Sequence, residues 1–138
     1  MKKIVIVGLL GGLIMLAIGM LTSPIFQALA PSLKTEYENP SLFRPWSDPL
    51  MSLYFVHPFL LSIILAWIWS RVRTIFMTES NTEKGLLFGL IVWVATSIPG
   101  MLMSYASFPI SLPMILSWTT SGFLELIGLG FFFSKTLK

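Results

Sequence analysis

Four apolar runs, at residues 4–21, 50–70, 85–104 and 112–133, decide what this chain can fold into. A membrane-crossing helix needs about 20 mostly apolar residues, roughly 17–25, and each run meets that length. A lone segment in hydrocarbon must satisfy its own backbone hydrogen bonds, so each run is expected to be helical. Only 11% of the 138 residues are charged, against about a quarter in a soluble domain. In water such a chain would leave large apolar patches exposed. The expected fold is therefore all-α: one polytopic membrane domain over residues 1–138, a four-transmembrane-helix bundle with an outer loop at 22–49.

The lysines and arginines set the orientation. Lys2, Lys3, Arg71, Arg73, Lys84, Lys135 and Lys138 fall on one side, and Lys34 and Arg44 on the other. Both termini and the 71–84 loop are thus expected to be cytoplasmic, in a multi-pass protein of the cell membrane. The net charge of +3 does not point to nucleic acid, because the basic residues sit at the ends of apolar runs rather than in a stripe. Cysteine is absent, which excludes disulfides, thiolate metal sites and cysteine nucleophiles. A single histidine, His57, rules out a multi-histidine metal cluster, and no cofactor is expected. A cleavable signal peptide competes for the first run, through "MKK" and "ALA" at 28–30. The run exceeds the usual apolar core of about 7–15 residues, and Pro31 would follow the cut directly. Removal would leave the other three spans in the same orientation.

Local signals mark the boundaries. In "SDPL", Asp48 is placed as an N-cap and Pro49 at the first helical position. "SNTEKG" offers Ser80 or Asn81 as a cap with Glu83 in the first turn, and Pro109 and Pro113 favour a tight turn before the fourth run. Within the outer loop, "SPIFQALA" reads as a short interfacial helix capped by Ser23, with Pro24 at its first position. Tyr37, Phe43 and Trp46 suit the headgroup zone. The loop reads either as an ordered lid over the bundle or as a binding loop.

Glu125 is the one acid inside an apolar run. A carboxylate at the bilayer centre costs about 2.5–3.5 kcal/mol on insertion scales, and at roughly 4–5 Å from the run's midpoint near Gly122 it is too deep to snorkel easily. Ser117, Ser121, Glu125 and Gly128 recur on one helical face, which is how a helix faces other helices. Two readings fit: a neutral carboxyl acting as hydrogen-bonding glue, or a site for a proton or cation.

His57 precedes Pro58, which lacks an N–H and clashes with the carbonyl of Tyr54, so a kink and a local polar pocket are expected. The histidine is either a proton-responsive group or a residue bonded to a nearby carbonyl or hydroxyl. Its depth, on the opposite side of the midplane from Glu125, separates the two by about 8–10 Å. A water-bridged relay through Ser62, Thr96 or Ser97 is the remaining link. In the third run Gly85, Gly89, Trp93, Ser97 and Gly100 share nearly one face, and Gly8 and Gly12 have GxxxG spacing, followed by Gly19. These patterns let helix backbones approach closely, within one chain or between chains. Trp67, Trp69, Arg71 and Arg73 read as an inner-interface anchor.

Three stretches, "GMLTSPIF", "FRPW" and "KGLLFGLIVWVATS", resemble small four-span prokaryotic membrane proteins classed as domains of unknown function. The resemblance covers most of the chain and implies a fold, without an activity. Small multidrug exporters are similar in size class, but their essential acid lies in the first helix, and residues 4–21 hold none. The first expectation is a non-enzymatic structural, interaction or accessory protein whose partners are the bilayer and a second copy or another membrane protein. The rival is a small proton- or cation-coupled transporter using Glu125, with Ser121, Ser117, His57, Trp93 and Ser97 as the surrounding polar candidates. A membrane-embedded enzyme is weakest, since no serine–histidine–acid set or phosphate loop occurs. A cavity joining His57 and Glu125 discriminates between the first two.

Overall fold

Asp48, Ser80 and Ser111 start their helices by side-chain capping. The computed structural model describes residues 1–137; Lys138, counted above among the inner basic residues, lies outside the described residues. Its helices are α1 (Lys2–Leu29), α2 (Ser32–Tyr37), α3 (Leu53–Val72), α4 (Asn81–Ser107) and α5 (Leu112–Thr136), with a 3-10 turn at Pro49–Ser52 leading into α3. Asp48 accepts the Leu50 N–H at 2.9 Å, Ser80 accepts that of Glu83 at 3.4 Å, and Ser111 accepts that of Met114 at 3.3 Å. Each satisfies a donor that a helix start leaves unpaired. Four helices are long and apolar enough to cross a membrane, and no strand occurs among the described residues.

One expected boundary is wrong. The stretch "SPIFQALA" is not a separate interfacial helix, because α1 continues through it to Leu29 with Pro24 inside. A mid-helix proline removes one donor, here the bond to the carbonyl of Met20. Local side-chain bonds flank the break: Thr22 Oγ1 donates to the Gly19 carbonyl at 3.2 Å, and Gln27 Nε2 to Ser23 Oγ at 3.1 Å. The helix ends at Ala30, whose φ of −133° and ψ of 86° lie outside the helical region, which the following Pro31 disfavours.

Helices α1 and α5 form the central pair, with α3 against α1 and α4 against α5. Glycines set both outer contacts. A Cβ on Gly8 would stand 2.6 Å from Ile63 Cα, and one on Gly12 2.8 Å from Phe59 Cα, so the GxxxG pair packs α1 on α3 within the chain. Gly85 and Gly89 likewise meet the backbone of Gly130 and Leu126. At the end carrying both termini, Met15, Leu65, Trp69, Phe88, Leu129 and Phe133 close a core drawn from all four long helices. Trp69 is buried there and donates Nε1–H to the Leu137 carbonyl at 3.1 Å. It is a core residue, not the interfacial anchor expected; Trp67, half-exposed beneath the Arg71 guanidinium, keeps that position.

At the opposite end the 22–49 segment folds over the bundle. Leu33 packs with Ile110, Met114 and Ile115, flanked by Phe26, Tyr37, Phe43 and Trp118. Trp118 donates to the Tyr37 hydroxyl at 2.7 Å, and the Glu36 carboxylate accepts both the N–H and the hydroxyl of Ser111, at 2.7 and 2.6 Å. An acid at the start of α5 also complements the helix dipole.

Candidate functional site

The stripe on α5 faces α1, as its spacing predicts. Ser121 Oγ and Thr22 Oγ1 share a hydrogen bond of 3.0 Å. A Cβ on Gly19 would lie 3.1 Å from Glu125 Oε1, and one on Gly128 2.9 Å from Ile18 Cδ1. Ser117 is buried and turns back to the Met114 carbonyl at 2.8 Å, so it stays within its own helix turn. The glycines and small hydroxyls thus bring α1 and α5 together while leaving the longer Glu125 side chain half-buried.

Glu125 opens into a cavity of about 160 Å³ where α1, α3 and α5 meet. Met15, Leu16, Gly19 and Met20 of α1 form one side, and Tyr54, His57 and Pro58 of α3 the other. The cavity lies beyond the closest contacts of α1 with α3. Gly8 and Gly12 hold the two in close contact at Ile63 and Phe59, but one to two turns further the facing α1 residues are Leu16 and Met20. On the α3 side Pro58 cannot donate to the Tyr54 carbonyl, which therefore lacks its helical partner.

His57 and Glu125 therefore share one cavity, although helix depth alone set them well apart. The longer α5, ending at Thr136, brings Glu125 to about 1.5 Å from its helix midpoint. The midpoint of α3, Leu53–Val72, moves the other way, so the two residues still differ in depth and meet only as separate walls of one cavity. Among the described residues no side chain or carbonyl hydrogen-bonds to the Glu125 carboxylate, which is what glue between helices would require.

Trp93 and Ser97 belong elsewhere. Trp93 Nε1 donates to the Thr119 carbonyl at 2.9 Å and its ring meets Phe123 edge-on at 5.2 Å, while Ser97 Oγ lies near Gly122. Both pin α4 to the side of α5 away from the cavity. Of the relay candidates, exposed Thr96 bonds back to the Val92 carbonyl at 2.7 Å. Ser62 is fully buried one turn below Pro58, beside Gly11 and Leu129, and its hydroxyl has no partner.

Tyr54 lies beside His57 at the cavity, where the proline-generated pocket is expected, whereas Met15 and Met20 as cavity walls and Thr22 as the partner of Ser121 carry no such signal in the sequence. Gly19 carried a signal, since it continues the face of Gly8 and Gly12 toward Glu125. The described residues hold no group of three or more metal-ligating side chains. The available chemistry is one carboxylate, one imidazole and one phenol around an apolar space. No family model matches the chain, and neither the curated proteins nor the solved structures contain a match.

Proposed function

We propose that this chain is a four-span integral membrane protein of the cell membrane, with cytoplasmic termini, that acts as a small proton- or cation-coupled carrier through Glu125. The observation that carries the reading is the cavity itself. A carboxylate with no hydrogen-bond partner among the described residues faces it together with a histidine. A membrane-embedded ionisable group facing a cavity is the arrangement that marks ion and proton pathways. The distribution of lysine and arginine supports the orientation, and the apolar outer faces, such as Leu13, Leu60, Val94 and Leu102, support burial in lipid.

Proteoliposome flux comparing the native chain with Glu125→Gln tests the carrier: a severalfold loss at equal protein content is expected, and equal flux would sink it. For the orientation, a reporter fused after Lys138 must read cytoplasmic. A second reading, an accessory protein that docks a partner helix or a second copy, is favoured by the exposure of His57 and Tyr54 at the cavity mouth. There Glu125 would find its hydrogen-bond partner on the other chain, and the glutamine variant would retain assembly.

A further inference from the structure

The geometry points to a particular ligand class for this cavity: the ammonium head of an amphiphile that reaches Glu125 sideways from the bilayer while its apolar chain stays in lipid. The inference rests on the reading of Glu125 as a cation-binding group and adds the identity of the cation.

Wall chemistry argues first. Hard inorganic cations take about six or more oxygen ligands, or keep several of their waters. Glu125 is the only acidic group on the cavity, and Met15, Leu16, Met20 and Pro58 give it thioether and hydrocarbon walls. A hard ion there would exchange its hydration for sulfur and carbon, which it binds poorly. An alkylammonium has the opposite needs. It requires one counter-charge, apolar contact for its substituents, and an aromatic neighbour such as Tyr54.

Size argues second. Pockets that enclose a whole drug-sized ligand measure about 300–1,000 Å³, whereas this one holds about 160 Å³. A head of a few heavy atoms fits, and a body does not. The remainder of the ligand must stay outside.

The position of the mouth argues third. His57, Tyr54 and Met20 are exposed at the rim, whereas Met15 and Pro58 are buried at the base. On α3 beside His57, Leu53 and Leu60 are exposed apolar side chains, one turn to either side of it on the same helix. α4, packed against α5 on the far side of the site, does not cover it. The mouth therefore opens across a helix surface suited to acyl chains, which leaves a place for the ligand's tail.

The test uses the full chain in phosphatidylglycerol nanodiscs, titrated with dodecyltrimethylammonium against empty nanodiscs. Saturable uptake near one per chain is expected, weakened at least tenfold in Glu125→Gln. Met20→Trp, a change at an exposed rim position, should also weaken it and serves if the glutamine variant fails to fold. Tetramethylammonium, which lacks the tail, should bind at least tenfold more weakly, and sodium should not compete. Replacing half of the phosphatidylglycerol by phosphatidylethanolamine, compared at equal surface charge with the same replacement by an uncharged galactolipid, distinguishes the source of the head. A weaker apparent affinity assigns the site to a lipid ammonium, and no change assigns it to a free amine; both outcomes keep the chemistry. Uptake equal in the native chain and both variants overturns the proposal. Glu125-dependent proton flux without any such binding overturns the ligand and leaves the carrier standing, whereas loss of Glu125 dependence in both assays removes the two together.

Discussion

Gly19 of α1 faces Glu125 of α5 so closely that a methyl group on it would stand 3.1 Å from the carboxylate Oε1. The glycine keeps open the space that the acid shares with His57 and Tyr54. Gly19→Leu should fill the cavity and lower Glu125-dependent flux at least tenfold. The fold should survive, because the Gly8 and Gly12 contacts lie elsewhere on α1. Flux in proteoliposomes, with helicity and monodispersity as controls, checks this; native flux in a folded Gly19→Leu variant would place the transport path elsewhere.

Two other glycines should respond in opposite directions. A Cβ on Gly130 would stand 3.0 Å from the Gly85 carbonyl carbon and 3.1 Å from the Gly89 nitrogen, and backbone atoms cannot rotate away. Gly130→Ala should therefore cost about 1–3 kcal/mol, the usual range for overpacking. Gly100 has nothing within 4 Å of its added Cβ and lies inside α4. Gly100→Ala should be neutral or stabilise by roughly 0.5–1 kcal/mol through helix propensity. Thermal unfolding in detergent micelles compares the two directly.

The four long helices were legible because apolar length dominates every other signal in "LLGGLIMLAIGM" or "FLLSIILAWIWS". The caps at Asp48 and Ser80 were legible too, since each pairs a side-chain acceptor with a neighbouring free donor. The stripe of Ser117, Ser121 and Glu125 was found by spacing alone. Its opposite wall was not, because Met15, Met20 and the expected pocket of Tyr54 and His57 become neighbours of Glu125 only through the packing of three helices. Pro24 was misread as a helix start; a proline in a long apolar helix sacrifices one bond, which neighbouring side chains can partly offset. His57 and Glu125 share a cavity despite their different depths, because a space between helices can extend along the helix axes in a way that single-helix spacing does not show.

Acid should weaken the turn that leads into α3. The Leu50 N–H and then the Arg44 guanidinium, 2.8 Å away, hold the exposed Asp48 carboxyl below its ordinary value of 3.8 against a smaller opposing effect of desolvation. A carboxylate depressed in the folded state stabilises fully above its unfolded value, and loses that contribution as the pH falls through the folded one. The stability difference between the native chain and Asp48→Asn should therefore be constant near neutral pH and shrink below about pH 3.8. A difference that persists unchanged at lower pH would mean that charge at Asp48 contributes nothing and the cap acts through shape alone.

The lid over the far end should depend on one carboxylate. Glu36 takes both the N–H and the hydroxyl of Ser111, joining α2 to the first turn of α5, while Trp118 and Tyr37 add the only other side-chain hydrogen bond seen between these two helices among the described residues. Hydrogen bonds to a charged group contribute about 1.5–3 kcal/mol each, and partial exposure of this pair places it at the lower end. Glu36→Ala should release α2 locally, raising amide exchange over residues 32–37 about a hundredfold, and speed tryptic cleavage after Lys34. Exchange at the 57–66 stretch of α3 should not change, because Glu36 ties α2 to α5, whereas the 22–49 segment reaches the cavity wall separately, through Trp46 edge-on to Tyr54 at 5.6 Å. Flux should likewise be retained. If Glu36→Ala leaves exchange at native rates, the apolar contacts of Leu33 and Phe43 hold the lid without the acid; if it abolishes flux, the lid and the Glu125 cavity are coupled through α5.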